Sequence, residues 1–527
     1  MANAFDTRIQ FHTLYWYGVG AALLLFLSMV LAFSAPAVAL LVGFLGWLIT
    51  MPYHGRLALL VGVSTFGSAL LVPFMGRPYL WEFAGILAWT GVPIALMLRQ
   101  YPPDTAHVIR GNRWIFIGAA IYCATLVEIM LVRGVGLRVL GSSVGGGRFY
   151  FQQIICAMFP LLFVVNRLDE KMFLRLFVIQ LALQMTYLLS DLAFSILPGK
   201  LGWMMYFLGL STDMANFQSK ALSFGIRRYQ SLGIAMPALL YLLLVRYNIR
   251  DFFGRRAWWL LPTTVAIVGI SLLSGHRSVI IFPAFTVILV AWSQRFLRPR
   301  NLVIAAAAGV MLAVAAYIAA PRLPLAAQRA LSFLPGIKID SQAAQDAKMT
   351  WLTRRVMFEL GLGMAPHYLL VGRGFTKYLD DRLGRYDAVE IYLDQGTFFN
   401  GFIGLLVNTG LTGTIGMILF LYGGMRLAGK IFRHVRQYGS SDNFARAAAV
   451  IASIYSANVL TFLFLHGNAE WAMKYFSVLV GMLIVASRIL ERREEEAAAQ
   501  AAAEATGAEE SALEKDVPAR EPLAQPT

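Results

Sequence analysis

Arginines occur at the ends of several long apolar segments of this 527-residue chain, and four are predicted on one side of a helical bundle: Arg228, Arg277, Arg354 and Arg373. A guanidinium group binds phosphate oxygens through paired hydrogen bonds and keeps its charge. Such groups stabilise negative charge that develops on a phosphate leaving group. An arginine at a helix end can instead extend to lipid headgroups. Arg277 fits that alternative least, because it lies in a very short outer turn, where positive charge is disfavoured.

Activation of a hydroxyl group requires a base within hydrogen-bonding distance. Three side chains of the same polar region are candidates: Asp394, Glu390 and His367. The sequence does not choose among them. His367 is also typical of an ordinary loop surface, and Asp394 could pair with a loop arginine instead. No Asp-x-Asp pair stands in this region to hold a metal ion, and neither a metal site nor another cofactor is predicted.

The elements that must position these side chains are membrane helices. Hydrophobic residues make up 58% of the chain and charged residues only 14%, which excludes a water-soluble domain. A helix needs roughly 20 apolar residues to cross a bilayer, and about fourteen such runs (roughly 12 to 14) follow one another between residues 17 and 489. The runs lack the alternation of barrel strands. They predict an all-α polytopic membrane protein.

The distribution of basic residues predicts the orientation of the helices. Short cytoplasmic loops retain Lys and Arg, and with fourteen spans every basic cluster falls on one side together with both termini. The net charge of +16 is therefore explained by topology and anionic-lipid contact, without nucleic acid. The clusters lie at residues 99–113, 167–171, 246–256, 295–300 and 426–446.

Two regions are predicted along the chain. Residues 1–489 form a membrane-embedded domain whose outer segments include 133–148, 198–230 and, by far the longest, 321–399. A loop as long as 321–399 is uncommon without helices and a function of its own. Residues 490–527 are Ala/Glu-rich and then Pro-rich, which predicts a short helical extension and a disordered cytoplasmic tail.

Four short motifs follow one another between residues 227 and 427. Each is weak alone, but their order, spacing and common predicted side of the membrane form a combination. They are Arg228 with Gly233 and Pro237; the turn Ser274 to Ser278; Arg354 with Phe358 and the Gly372, Arg373, Gly374 triplet; and Phe398, Phe399 and Asn400 before Gly410, Leu411 and Gly413.

This combination resembles the O-antigen ligase and O-antigen polymerase superfamily, bacterial polytopic membrane glycosyltransferases. The resemblance implies a polyprenyl-diphosphate-linked glycan donor and a glycan or lipid acceptor at the outer face of the inner membrane, with other polysaccharide-assembly proteins as further partners. Arg228, Arg277, Arg354 and Arg373 would bind the diphosphate, and Asn400, Gly372 and Gly374 would support the motifs. A sugar hydroxyl would attack the anomeric carbon and release polyprenyl diphosphate, without nucleotide sugar or metal.

The chain departs from the family pattern at one position. Ligases of this family carry a histidine directly before the asparagine, where this chain has Phe399. A phenyl ring cannot accept a proton. Within the superfamily, this departure favours a polymerase over an O-antigen ligase.

Two other classes of protein remain alternatives. A lipid-linked glycan flippase or other secondary transporter would have a similar number of helices, but transporters place ionisable residues near the bilayer midplane and often show repeated halves. Here the charges gather at one face and no internal repeat is apparent. A catalytically silent assembly protein would share the topology but would hold Arg228, Arg277 and Arg354 far apart.

Overall fold

The computed structural model describes residues 35–50, 54–72, 77–99, 101–136, 145–166, 168–196, 200–211, 226–375, 388–440 and 442–515, together with single positions between 16 and 31. Within these ranges the chain is helical and contains no β-strand. Two isolated bridges join Leu70 to Leu208 and Leu71 to Tyr79.

Nineteen α-helices lie in the described ranges, labelled here in chain order. The first nine are α1 (Pro36–Thr50), α2 (His54–Ser64), α3 (Leu80–Met97), α4 (Thr105–Gly111), α5 (Arg113–Arg133), α6 (Gly147–Ala157), α7 (Phe159–Val165), α8 (Glu170–Gln184) and α9 (Thr186–Ile196). The others are α10 (Gln230–Arg246), α11 (Ala257–Ser271), α12 (Ser278–Ser293), α13 (Pro299–Ala319), α14 (Leu325–Leu331), α15 (Ser341–Met364), α16 (Ala388–Gln395), α17 (Gly401–Tyr438), α18 (Asn443–Leu460) and α19 (Ala472–Lys515).

Nine helical segments of the described chain are long and apolar enough to cross a membrane. The prediction of an all-helical, multi-pass membrane protein is thus confirmed. Three further apolar helices, Gly55–Ser64, α10 and α12, are shorter than this threshold, so the predicted number of roughly 12 to 14 spans is not established. The first predicted span, residues 17–33, lies mostly outside the described residues.

Helix α13 shows how the bundle meets its surroundings. Its sequence is apolar on every side, and none of its residues is buried by the protein. A helix that is hydrophobic all round and uncovered by protein requires an apolar solvent. Lipid is the environment that satisfies α13.

The centre of the bundle is formed by close helix packing at small residues. Helices α5 and α17 approach so closely that a Cβ atom on Gly118 would lie 2.6 Å from the carbonyl oxygen of Gly416. A Cβ atom on Gly416 would in turn lie 2.8 Å from the backbone nitrogen of Tyr122. Membrane helices rely on such small-residue contacts because lipid provides no hydrophobic driving force between them.

Helix α17 is broken near its start, at Gly410, which has a φ of +66°. The break leaves two carbonyl groups without their helical donors. Those of Val407 and Asn408 accept hydrogen bonds from the backbone nitrogens of Arg373 (2.8 Å) and Gly374 (2.9 Å). The Leu411 nitrogen donates instead to the Leu369 carbonyl, at 2.8 Å. The loop thus replaces the missing helical bonds.

The bundle has two different ends. At one, called the opposite end here, ion pairs join Arg493 to Glu170 (2.5 Å) and to Asp442 (2.6 Å). The other, called the loop end, carries α14, α15 and α16, which belong to the predicted loop 321–399; α15 alone has 24 residues. The extension predicted after residue 489 is part of α19 and continues to Lys515, while residues 516–527 lie outside the described chain.

Candidate anion-binding site

A buried carboxylate joins two arginines at the loop end. Asp346 on α15 accepts hydrogen bonds from Nη2 of Arg228, at 2.8 and 2.7 Å from its two oxygens. The same carboxylate accepts a bond from Nε of Arg329 on α14. Only 2% of Asp346 and 5% of Arg329 is exposed, so this ion-paired triad is desolvated. Buried charges of this kind persist only when paired and hydrogen-bonded.

The turn between α11 and α12 packs against this triad. Gly275 has a φ of +72°, and a Cβ atom there would lie 3.2 Å from Cγ of Arg228. Its carbonyl accepts a hydrogen bond from Arg329, whose Nη2 also donates to Oγ1 of Thr350 at 2.9 Å. Glycine is therefore required at this position both for its backbone conformation and for space.

Arg277, two residues further on, extends from the same turn toward α15. Its Nη2 donates to the carbonyl of Ala347, which directly follows Asp346, at 3.2 Å. Burial lowers the pKa of Arg277, and the negative charge of Asp346 opposes this shift. Arg228 and Arg277, both predicted from the sequence, thus form hydrogen bonds to the same helix, α15.

Arg354 lies on the same face of α15 as Asp346 and Thr350, because residues four positions apart are neighbours on a helix. Burial, together with the positive charges of Arg329 and Arg277, lowers its pKa to about 10. Its Nε atom is buried and has no hydrogen-bond partner among the described residues. Arg354 therefore lies near Arg277 and Arg329, and Arg329 shares Asp346 with Arg228.

A stack of rings covers Arg354. Its guanidinium carbon lies 5.5 Å from the ring centroid of Phe399, and the imidazole of His466 is stacked on that ring, with centroids 5.7 Å apart and planes inclined by 23°. Asn400 then caps α17 by accepting a hydrogen bond from the Ile403 nitrogen, at 3.0 Å. The Phe-Asn pair therefore positions the start of α17 beside the arginines.

His466 is kept neutral by its surroundings. Burial lowers its pKa to about 3, with further contributions from the positive charge of Arg354 and from His276. Its Nδ1 atom is buried without a hydrogen-bond partner among the described residues. A neutral imidazole has a lone pair that can accept a proton, and an anion bound at Arg354 would offset the positive charge that opposes its protonation.

The fourth predicted arginine has a different position. The side chain of Arg373 donates to the carbonyl of Leu393 on α16, and its backbone nitrogen binds Val407. Its two flanking glycines are needed for packing: a Cβ atom on Gly372 would lie 2.3 Å from the Asn408 carbonyl oxygen, and one on Gly374 would lie 2.1 Å from the Tyr150 hydroxyl. The contacts described for Arg373 are structural and involve neither Asp346 nor the other arginines.

Two of the three predicted bases, Glu390 and Asp394, lie on α16, and the third, His367, follows α15. His367, in the turn Ala365–Tyr368, and Glu390 are exposed, whereas Asp394 is partly buried. None of the three side chains has a hydrogen bond or ion pair to another described residue. Asp394 follows Leu393, which binds Arg373.

Sequence reasoning missed three members of the site: Arg329, Asp346 and His466. Asp346 had a usable signal, since it precedes the predicted Arg354 by eight residues and so shares its helix face. Arg329 interrupts an apolar helix whose residues are all buried except the first. His466 follows the short apolar turn Thr461–Leu465 after α18, and its approach to Phe399 depends on tertiary packing.

An apolar cavity of about 220 Å³ opens beside the triad. Tyr229 directly follows Arg228, and Ala326 is one helical turn before Arg329. Arg227 lines the cavity mouth and lies over Tyr229, with its guanidinium carbon 5.3 Å from the ring centroid. The lining consists of Ile226, Arg227, Tyr229, Leu273, Pro324, Leu325 and Ala326.

The arrangement combines a cationic cluster with an adjacent apolar cavity. Among the described residues, four guanidinium groups lie close together around one carboxylate. Arg228 and Arg329 pair with Asp346 and its charge acts on Arg277. Arg354 lies near Arg277 and Arg329. Such an excess of positive charge suits an anion with several charged oxygens.

No protein-family model matches this chain, and no curated protein matches it.

Proposed function

We propose that this protein is a glycosyltransferase of surface-polysaccharide biosynthesis, which transfers or polymerises polyprenyl-diphosphate-linked glycans at the outer face of a bacterial inner membrane. The observation that carries the proposal is the convergence of Arg228, Arg277 and Arg354 on helix α15. These arginines come from three separate segments of the chain. A structural role in anchoring headgroups would not require them to meet.

The charge of the cluster fits a diphosphate leaving group. Among the described residues, four guanidinium charges and the one carboxylate of Asp346 leave three positive charges in excess. Departure of polyprenyl diphosphate places negative charge on its phosphate oxygens, and preorganised cations stabilise that charge without reorganisation. Arg354 is the arginine whose buried Nε has no hydrogen-bond partner among the described residues, so this atom would donate to the bound diphosphate.

The cavity beside Arg228 supports a lipid-linked rather than a water-soluble donor. It is lined mostly by apolar side chains and adjoins the cationic triad. A ligand whose phosphates bind the arginines would place its first isoprene units there. Apolar contact and charge pairing together fit an amphiphilic diphosphate.

In the proposed reaction, a sugar hydroxyl of the acceptor attacks the anomeric carbon of the donor. The bond between this carbon and the diphosphate oxygen breaks, and the diphosphate leaves with the electron pair. A base takes the hydroxyl proton. Asp394 remains a candidate from the sequence, and His466 is the neutral group stacked on Phe399 beside Arg354. Phe399 itself cannot act as a base, which favours a polymerase over a ligase.

The proposed topology has fourteen spans with both termini in the cytoplasm. The cationic site then faces the outer side together with the segment 321–399. The ion pairs of Arg493 with Glu170 and Asp442 then fall at the cytoplasmic end. Basic residues near this end agree with the preference of short cytoplasmic loops.

The first test is the glycan phenotype of strains that carry Arg277→Ala or Arg354→Ala, compared with wild type and a deletion. Loss of a transition-state cation should lower the transfer rate by about 10²-fold or more, so both variants should accumulate unextended lipid-linked repeat units. Arg355→Ala is the matched control, because Arg355 adjoins Arg354 but forms an exposed pair with Glu359, at 2.8 Å.

The glycan that accumulates separates the possible functions. Single repeat units on the lipid indicate a polymerase, and finished polymer that remains on the lipid indicates an O-antigen ligase. Repeat units retained on the cytoplasmic leaflet indicate a flippase. A wild-type glycan pattern in both variants, at normal protein abundance, would refute the proposed diphosphate site.

A further inference from the structure

A second polar cluster at the loop end lies around Lys474, which the proposed reaction does not use. The ammonium nitrogen of Lys474 lies 4.4 Å from the ring centroid of Trp471, 5.1 Å from that of Trp81 and 5.5 Å from that of Tyr79. The guanidinium group of Arg148 lies on the Tyr79 ring as well, at 5.3 Å. Aromatic faces stabilise cations held at such distances.

The nearby carboxylate is already bound by other groups. Glu82, which is 4% exposed, accepts a bond from Nη2 of Arg148 at 2.8 Å and one from the Tyr79 nitrogen at 2.7 Å. Gln152 donates to it as well. Among the described residues, the Lys474 ammonium group has ring contacts but no hydrogen-bond acceptor. The cluster therefore contains two cations and one carboxylate.

The position of Lys474 in its helix adds to this imbalance. It is the third residue of α19, where the helix dipole is positive and disfavours a cation. Two buried neighbours also retain unused polar atoms, since Nε1 of Trp81 and Oε1 of Gln152 have no partner among the described residues. The described partners of the Lys474 ammonium group are therefore aromatic rings, as expected of a cation that is open to a further, anionic partner.

A short segment connects this cluster to the arginine site. His466 contacts Phe399 beside Arg354, as described above. Four residues later, Glu470 accepts a hydrogen bond from Oγ1 of Thr397, at 2.9 Å. The next residue, Trp471, lies against Lys474 and, edge to face, against Phe149, with ring centroids 5.2 Å apart. Segments 397–399 and 466–471 thus run between the two cationic sites.

From this arrangement we propose that Lys474 and Arg148 form a second binding site, which holds an anionic group of the acceptor glycan, a sugar carboxylate, while Tyr79 and Trp471 pack against the sugar ring. The inference rests on the proposed glycosyltransferase function. The side chain of Arg148 is 47% exposed, and Tyr79 and Trp471 are partly buried, so all three present surface to a ligand. Trp81 is fully buried and forms the inner wall.

A diphosphate of a second lipid-linked chain has the same charge chemistry, so the probes must separate the two sources. The full-length protein in lipid nanodiscs is titrated with trigalacturonate as the carboxylate probe, maltotriose as the neutral probe and farnesyl diphosphate as the lipid-diphosphate probe. Lys474→Met removes the charge at similar side-chain length. Lys474→Arg retains the charge, and Arg148→Gln tests the second cation independently.

We expect trigalacturonate to bind wild type at least tenfold more tightly than maltotriose, and Lys474→Met and Arg148→Gln each to lose about tenfold. Lys474→Arg should retain most of the binding. Equal binding of the two sugars by wild type, or unchanged trigalacturonate binding in a folded Lys474→Met, overturns the inference. Loss of farnesyl diphosphate alone in Lys474→Met also overturns it, because the site would then hold a lipid diphosphate.

Arg277→Ala keeps this test separate from the proposed function. If the proposals are both correct, Arg277→Ala loses farnesyl diphosphate and keeps trigalacturonate. If it keeps farnesyl diphosphate while Lys474→Met loses trigalacturonate, the diphosphate site fails and the second site stands.

Discussion

Asp346 accepts hydrogen bonds from Arg228 on both of its oxygens, at 2.8 and 2.7 Å, and so fixes α15 against the segment that precedes α10. Because Arg329 binds the same carboxylate, one negative charge positions two arginines and offsets part of their repulsion. Asp346 is thus a positioning residue. It neutralises only part of the positive charge of the arginines, and a bound anion would interact with the remainder.

Removing this carboxylate should destabilise the protein strongly. Asp346→Ala leaves two largely buried guanidinium groups without their partner, and breaking a buried pair in this way costs about 3–5 kcal/mol. Thermal unfolding in detergent measures the effect. The exposed pair of Glu359 and Arg355 provides the control, since Glu359→Ala should change stability by about 1 kcal/mol or less. Equal effects of the two substitutions would contradict the role given to Asp346.

The glycine triplet around Arg373 allows a second stability prediction. A Cβ atom on Gly372 would lie 2.3 Å from the Asn408 carbonyl oxygen, so Gly372→Ala must displace the loop from the break in α17. We expect a loss of about 1–3 kcal/mol, measured by unfolding. Gly363→Ala is the control, because its Cβ atom would have no atom within 4 Å and a helical alanine is favoured. A neutral Gly372→Ala would show that the loop does not depend on this contact.

The sequence was sufficient for the class of fold, and the reason is physical. Helix α13 is apolar on every side, and no water-soluble packing accommodates such a segment. The number of spans could not be obtained in the same way. Helices α10 and α12 are shorter than a full membrane span. Whether such helices cross the bilayer depends on neighbouring segments that form hydrogen bonds with the polar groups at their ends.

The site was predictable only in part, and Arg373 shows why. The family resemblance implied a diphosphate-binding role for Arg373, whereas the described contacts of this segment are backbone hydrogen bonds at the break near Gly410. Arg277 lies in a short turn that was predicted on the same side of the membrane as the segment 321–399. Its contact with α15, which belongs to that segment, agrees with this predicted topology. His466 approaches Phe399 across 67 positions of sequence (466 − 399), and no local pattern reveals such a contact.

The pKa of His466 predicts a pH dependence of folding. An unfolded histidine titrates near 6.5, whereas His466 in the fold has a pKa of about 3. Between these values the unfolded chain binds a proton that the folded chain does not. The free energy of unfolding is therefore unaffected by this group above pH 6.5 and decreases as the pH falls below that value. The loss is at most about 1.4 kcal/mol per pH unit.

Thermal unfolding of wild type and His466→Phe at pH 7.5, 6.5, 5.5 and 5.0 tests this dependence. The variant removes the titrating group, so its stability should fall less than that of wild type across this range. Leu370, which is 91% exposed and does not titrate, supplies the control, and Leu370→Ala should retain the wild-type slope. Identical slopes for His466→Phe and wild type would contradict the low pKa.

The identity of the base gives the final prediction. His466 stacks on Phe399, which in turn lies against Arg354, so a hydroxyl attacking a donor held by Arg354 would approach the imidazole. His466→Gln retains a polar side chain but cannot accept the proton as imidazole does, and we expect the transfer rate to fall by about 10²–10⁴-fold. Because the histidine is already neutral well below pH 7, this factor should stay constant from pH 6 to 8. Asp394→Asn, measured in the same assay, should retain most activity. The reverse pattern would assign the proton transfer to Asp394, and full activity in both variants would exclude each of them as the base.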